Sequence, residues 1–148
     1  MKNVFFLCLT LLSLSTSLAA KTQPLNTKPL PAGTLVLLET TEKIDSYRST
    51  VGKTLTFRVR TNVVVDGKTV IASGALAIGR VKSISRATFN NPEEITLEVL
   101  YAQAVDGQQV ALNGAEQTYR GMFAGESVIV EPAQTITATV MNNTEIHP

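Results

Sequence analysis

From residue 34 onward, apolar and polar positions alternate with a period of two. In residues 54–65 (TLTFRVRTNVVV), Leu55, Phe57 and Val59 fall on one side of an extended chain while Thr56, Arg58 and Arg60 fall on the other. That is the pattern of a strand with one buried and one wet face. Residues 34–41 (TLVLLETT), 75–85 (ALAIGRVKSIS), 94–105 (EITLEVLYAQAV) and 108–112 read as further strands. Residues 127–140 (SVIVEPAQTITATV) hold two short strands broken at Pro132, because proline cannot donate to a ladder. No apolar stripe of helical period runs long enough for a helix, and residues 41–49 have room for one helical turn at most. The pattern predicts an all-β single domain, a β-barrel or β-sandwich of roughly 8–10 short antiparallel strands.

The turns between these strands are specified by residue type. Asp66-Gly67 separates VVV from TVI, and Asp106-Gly107 separates another pair of β-prone runs. Asp-Gly at such a place predicts a tight hairpin, since both residues tolerate positive φ. The two sites are self-similar, VDGKTV at 65–70 and VDGQQV at 105–110, each with a glycine soon after, Gly74 and Gly114. A second similarity links LPAGT at 30–34 to EPAQT at 131–135, with IASGA at 71–75 as a looser third copy. Recurrence of one turn type and duplication of a segment both account for these.

The first 19 residues depart from the strand pattern. Lys2 supplies a positive start, residues 4–14 are almost wholly apolar, and Ser17 and Ala19 are small residues at a cleavage position. These are the three parts of a secretory signal peptide, and the apolar run is too short for a membrane span. Residues 20–29 carry Pro24 and Pro29 without periodicity and read as a flexible linker; the β domain is expected at 30–141 and a C-terminal tail at 142–148. The chain is expected to be exported, to the periplasm or in association with the outer membrane, with no transmembrane anchor in the mature protein. Its single cysteine, Cys8, lies inside the signal. Disulfides and thiol chemistry are thereby excluded from the mature chain. Loss of Lys2 reduces the 13 basic residues to 12, against 12 acidic ones, with no run of like charge. A nucleic-acid partner normally requires concentrated Lys and Arg, so none is expected.

Little in the sequence carries catalytic chemistry. The only histidine, His147, is the penultimate residue, so neither a Ser-His-carboxylate arrangement nor a nitrogen and sulfur metal site can be assembled, and no cofactor or metal is expected. A pool of carboxylates, Glu39, Glu42, Asp45, Glu98 and Glu116, leaves open a hydrolase acting on envelope polysaccharide if two of them face each other across a cleft. A barrel with a small-ligand cavity is a further alternative. Candidate partner contacts are more numerous. Arg58 and Arg60 share one strand face, as a cationic ridge for an envelope protein or glycan, or as charges that discourage edge pairing. Arg86 and Phe89 sit on the polar loop 85–94, and Tyr119, Arg120, Met122 and Phe123 on the glycine-bearing segment 119–125, which is either an exposed partner site or a sheet corner. Asp45, in Ile44-Asp45-Ser46, is suited to bond the backbone and fix a turn.

The series LPAGT (30–34), IDS (44–46), VG (51–52), FRV (57–59), VDGK (65–68), VI (70–71) and Gly74 resembles uncharacterised exported β-domain proteins of Gram-negative bacteria. It is more distantly similar to the periplasmic β-barrel domain of TrbI-type conjugation proteins, in which a Pro-Ala-Gly-Thr opening strand and an Ile-Pro-x-Gly turn recur. The second turn here is Ile71-Ala72-Ser73-Gly74, without the proline, and no long apolar antenna helix is present in the sequence. The resemblance implies an envelope-located β fold and carries no catalytic residue. With the empty catalytic inventory, it leads to the expectation of a non-enzymatic envelope protein that binds or scaffolds through loops or a sheet edge.

Overall fold

The computed structural model describes residues 27–114 and 116–148. The signal segment expected at 1–19 and the linker residues 20–26 lie outside the described residues. The described chain is all-β, in thirteen strand segments: β1 (Lys28–Leu30), β2 (Leu35–Thr40), β3 (Ile44–Asp45), β4 (Thr54–Val59), β5 (Val63–Val65), β6 (Lys68–Ile71), β7 (Leu76–Ser85), β8 (Glu94–Gln103), β9 (Gln109–Asn113), β10 (Glu116–Arg120), β11 (Ile129–Val130), β12 (Thr135–Val140) and β13 (Thr144–Ile146). Six of them form a closed antiparallel barrel in the order β2-β4-β7-β8-β9-β12, with β12 returning to β2. Each strand of the ring pairs with the next one in the chain, so the barrel is an up-and-down meander. β9 and β10 share one edge of β8: Tyr101–Gln103 pair with β9 and Glu94–Glu98 with β10. β10 therefore runs on outside the ring, with β8 as its only strand partner among the described residues.

The period-two pattern becomes the inside of the barrel. Val36 and Leu38, Leu55, Phe57 and Val59, Ala77 and Val81, Ile95, Leu97 and Val99, Val110 and Leu112, and Ile136, Ala138 and Val140 are all buried. Side chains, not a channel, fill a barrel of this size. Phe57 is the largest fully buried side chain, and it has room because β7 carries Gly79 beside it: a Cβ there would stand 2.1 Å from Glu98 O and 2.8 Å from Phe57 Cε2. The register of β7 against β8 shifts between Ile78 and Gly79. A bulge at a glycine is one way to bend a strand around a tight barrel.

The two Asp-Gly sites use different turns. Asp66 (φ 48°) and Gly67 (φ 73°) both take left-handed geometry and join β5 to β6 in a two-residue hairpin loop. At the second site only Gly107 has positive φ. Gly107 N donates to Ala104 O and Ala104 N to Gln108 O, the longer turn in which a glycine follows a type I bend.

The expected domain boundaries move outward. Lys28 and Pro29, assigned to the linker, and Thr144–Ile146, assigned to the tail, pair with each other as β1 and β13. The reason is apolar: Leu30 and Ile146 are wholly buried. The arrangement also reveals a repeat with an offset of 100 residues. β1-β2-β3 corresponds to β11-β12-β13, and the pairing of β1 with β13 is matched by that of their counterparts β11 and β3: Pro29 faces Glu145 as Ile129 faces Asp45, and Leu30 faces Thr144 as Val130 faces Ile44. β2 and β12 pair symmetrically about Leu37 and Thr137. The β1–β13 pair lies at one end of the barrel beside the β5–β6 hairpin and the 104–108 turn; the β3–β11 pair lies at the other, with loops 41–53, 86–93 and 121–128. The first is called here the terminal pole and the second the loop pole.

Candidate functional site

The loop pole is built on one ion pair, between a buried carboxylate and a guanidinium that is about half exposed. Glu93, only 3% exposed, accepts a hydrogen bond at 2.6 Å from Arg86 Nη1, whose side chain reaches across to donate to Ser46 O at 2.9 Å and Ser49 O at 3.4 Å. Loops 41–53 and 86–93 are thus tied by one guanidinium, whose planar fork supplies several donors at once. The third loop is joined through Ser46: its N donates to Val128 O and its Oγ accepts from Val128 N at 2.8 Å. Asp45 fixes the corner before it, its Oδ1 accepting from Tyr47 N at 2.9 Å, the backbone role expected for it. Glu126 shapes the tip of loop 121–128 by accepting from both Met122 N and Phe123 N at 3.1 Å.

This framework holds large apolar side chains outward. Phe89 is 97% exposed, Met122 86%, Tyr47 77% and Phe123 71%, the four highest values among large apolar side chains of the described residues. One tip comes from each loop, or two in the case of 121–128. Val51 and Ile129 are also exposed at this pole. Scattered surface apolar residues are ordinary, but a concentration at one end is not.

Three depressions lie between the same loops. One of about 550 Å³ is lined by Tyr47, Arg86, Glu93, Gly125 and Ser127; one of about 400 Å³ by Lys43, Asp45, Arg48, Ser49, Lys53 and Ile129; and one of about 230 Å³ runs beside Arg120, Gly121, Met122 and Glu126. Gly121 lines the last, and a Cβ there would stand 3.0 Å from Glu126 O, a tight contact.

The structure divides the predicted contact residues into two groups. Phe89, Met122 and Phe123 are tips of the loop pole, and Arg86 and Arg120 stand beside them. Arg86 is chiefly a clamp between loops, and Arg120 pairs with Glu94 on the neighbouring strand. Tyr119 is half-buried against the core, and burial pushes its phenol above the usual range, so it stays neutral. Arg58 and Arg60 lie elsewhere, on the barrel wall. Arg58 donates twice to Glu39 Oε1, at 3.0 and 2.6 Å, and Arg60 Nη1 donates to Thr135 Oγ1 at 2.6 Å. The ridge read as edge protection is not at an edge: β4 is paired on both sides, with β2 and β7.

The carboxylate pool is dispersed over the molecule. β2 and β8 are opposite one another in the six-strand ring, so Glu39 and Glu98, partnered by Arg58 and Arg80, point away from each other across the whole barrel. Glu98 and Glu116 are cross-strand neighbours, but each is held by a cation of β7, Arg80 and Lys82 respectively. Among the described residues no group of three or more His, Cys, Asp and Glu side chains is placed to hold a metal ion, and no helix is long and apolar enough to cross a membrane.

Tyr47, Lys43, Arg48, Ser49 and Lys53 belong to this pole without having been singled out from the sequence. They fall in a stretch with no clear periodicity, and only the odd placement of an aromatic between charges, Ser46-Tyr47-Arg48, marks it. No protein-family model and no curated protein matches the chain.

Proposed function

We propose that this protein is an exported, non-enzymatic binding domain of the Gram-negative envelope, and that it engages another envelope protein through the loop pole. The observation that carries this reading is the convergence of Phe89, Met122, Phe123 and Tyr47, the most exposed large apolar side chains among the described residues, on three loops that Arg86 and Ser46 tie together. A pre-ordered set of loops loses little entropy on binding. Burying Phe89, Met122 and Phe123 on a partner contributes roughly 5–9 kcal/mol gross, at 1.5–3 kcal/mol per side chain. Association costs of about 4–15 kcal/mol oppose this. The tips alone are therefore marginal, and the polar depressions between them supply the remaining contacts. A closed β-barrel also accords with the resemblance to TrbI-type periplasmic domains, whose setting is the envelope.

The hydrolase alternative required two facing carboxylates. Glu39 and Glu98 lie on opposite strands, and an inverting or retaining pair works at roughly 5–9.5 Å.

The test compares immobilised wild-type chain with a Phe89→Ser, Met122→Ser, Phe123→Ser variant as bait for detergent-solubilised envelope of the source cell, with mass spectrometry of the retained proteins. A defined envelope protein retained by the wild type and lost from the variant supports the reading. Equal retention by both, or none by either, rejects it. Fractionation with N-terminal sequencing tests export: a mature chain beginning near Ala20 is expected, and an intact Met1 in the cytoplasm contradicts it.

A further inference from the structure

We infer that the depression of about 400 Å³ beneath β3 is a phosphate site, taking a phosphomonoester group carried by the partner or by a ligand of the loop pole. The biological sense of this site rests on the reading of the loop pole as the binding end; its chemistry does not.

Three cations converge on the depression from two stretches of one loop, Lys43 and Arg48 before the turn and Lys53 after it, against a single carboxylate, Asp45. That carboxylate is already engaged: Oδ1 accepts from Tyr47 N, and Oδ2 lies 3.7 Å from Arg48 Nε. The pairing through Nε leaves the two terminal nitrogens of Arg48 without a hydrogen-bond partner among the described residues. Lys53 makes no ion pair among the described residues. Lys43 has a loose contact, 3.5 Å to Glu131, between two side chains that are both more than half exposed. Such a pair is worth little and is readily exchanged. The lining thus carries two positive charges in excess in a chain whose charges otherwise nearly balance.

The second observation is independent of charge. Ser49 also lines the depression; it is 1% exposed, and its Oγ is the buried side-chain oxygen or nitrogen without a hydrogen-bond partner among the described residues. A buried hydroxyl left unpaired costs about 1–3 kcal/mol, and in native proteins such a group calls for a partner. Its backbone is fixed on both sides, Ser49 N donating to Ser46 O and Ser49 O accepting from Arg86, which holds the residue at the wall of the depression. An Arg, two Lys and a hydroxyl match a tetrahedral oxyanion, which presents several oxygens in different directions, better than they match a planar carboxylate with two. Ile129, partly exposed on the same wall, offers an apolar contact to whatever carries the phosphate.

The test is a titration of the full ¹⁵N-labelled chain with inorganic phosphate, followed by amide shifts at constant ionic strength with chloride as the control. Saturable shifts confined to residues 43–53 and 129 are expected. Lys53→Gln or Arg48→Gln should raise the half-saturating phosphate concentration about fivefold, the effect of one charge-assisted hydrogen bond. Ser49→Ala, which removes an unsatisfied hydroxyl and so keeps the fold, should raise it about twofold. A second arm distinguishes the source: flotation with phosphatidylcholine vesicles containing phosphatidate, lost in Lys53→Gln, assigns the phosphate to a lipid, whereas phosphate shifts without flotation assign it to a soluble or protein-borne phosphomonoester. No saturable difference between phosphate and chloride, or unchanged titration of Lys53→Gln, overturns the site. The Phe89, Met122 and Phe123 triple variant leaves the depression intact, so loss of partner capture with retained phosphate shifts, and the reverse, separate failure of one proposal from failure of the other.

Discussion

Gly33 and Ala133, one hundred residues apart, occupy equivalent places on either side of the β2–β12 pair: Gly33 N donates to Val140 O at 2.8 Å, and Ala133 N donates to Thr40 O at 2.8 Å. Both have positive φ, 82° and 65°. The second pair of bonds repeats the relation, with Val140 N on Thr34 O and Thr40 N on Gln134 O. The equivalence is one of backbone geometry, and it makes Ala133 a strained residue where its counterpart is a glycine.

Replacing Ala133 by glycine should therefore stabilise the protein. An L-residue in left-handed geometry costs about 1–2 kcal/mol, and the added freedom of glycine in the unfolded chain offsets about half of it. Urea unfolding of Ala133→Gly should show a gain of about 0.5–1 kcal/mol, and of Gly33→Ala a loss of about 1 kcal/mol. A gain from Gly33→Ala contradicts the assignment. Nothing stands within 4 Å of a Cβ at Gly33, so crowding does not confuse the result.

Gly79 is a different case, because there the obstacle is backbone. A Cβ would collide with Glu98 O and Val99 Cα as well as with the ring of Phe57. Gly79→Ala is expected to cost at least about 3 kcal/mol. The companion Phe57→Leu relieves only the ring contact, so the double variant should recover little of the Gly79→Ala loss. Circular dichroism melts of the three variants measure this.

The clamp at the loop pole makes its own demand. Arg86→Ala leaves the buried Glu93 carboxylate without its partner and, with the guanidinium itself about half exposed, should destabilise by about 1–3 kcal/mol, while Arg86→Met with Glu93→Leu, which leaves no charge unpaired, should recover most of that. Amide exchange in loops 41–53 and 86–93 should accelerate in Arg86→Ala more than in the barrel strands, since the guanidinium ties those loops and not the ring.

At the terminal pole Asp106 couples the last residues to pH. Burial pushes its carboxyl up, but hydrogen bonds from His147 N, Gln108 N and the Gln108 amide outweigh this and hold it below the usual carboxylate range. A carboxyl depressed in the folded state stabilises above its unfolded pKa, and that contribution disappears as pH falls through the folded value. Opening of the β13 end, followed by NMR at the His147 amide, should increase as pH drops below about 4. Asp106→Asn should remove the pH dependence.

The alternation of Leu55, Phe57 and Val59 announces the buried face of β4 without ambiguity, because a period of two leaves no other way to bury three side chains from an extended chain. Asp66-Gly67 likewise specifies its own turn. Closure is not legible, since it depends on β8 sharing its edge between β9 and β10 and on two residue pairs joining β9 to β12. The PAGT and PAQT similarity aligns Gly33 with Gln134, one position away from the structural match with Ala133, because the chain is aligned by the positive-φ position and not by the proline. Phe89, Met122 and Phe123 stand out as aromatic and apolar residues among loop formers. Tyr47 and the cations around Ser49 do not, since the two-residue β3 that places them has no pattern of its own.

The central claim is that contact with a partner is made at the loop pole, and site-specific photo-crosslinking in the cell tests it most directly. A photo-reactive amino acid at position 89 is compared with one at position 64, where Val64 is also exposed but lies on the hairpin of the opposite pole. A discrete higher-mass adduct from position 89, absent at position 64, is the predicted result. An adduct from position 64 alone, or none from position 89, would contradict the account.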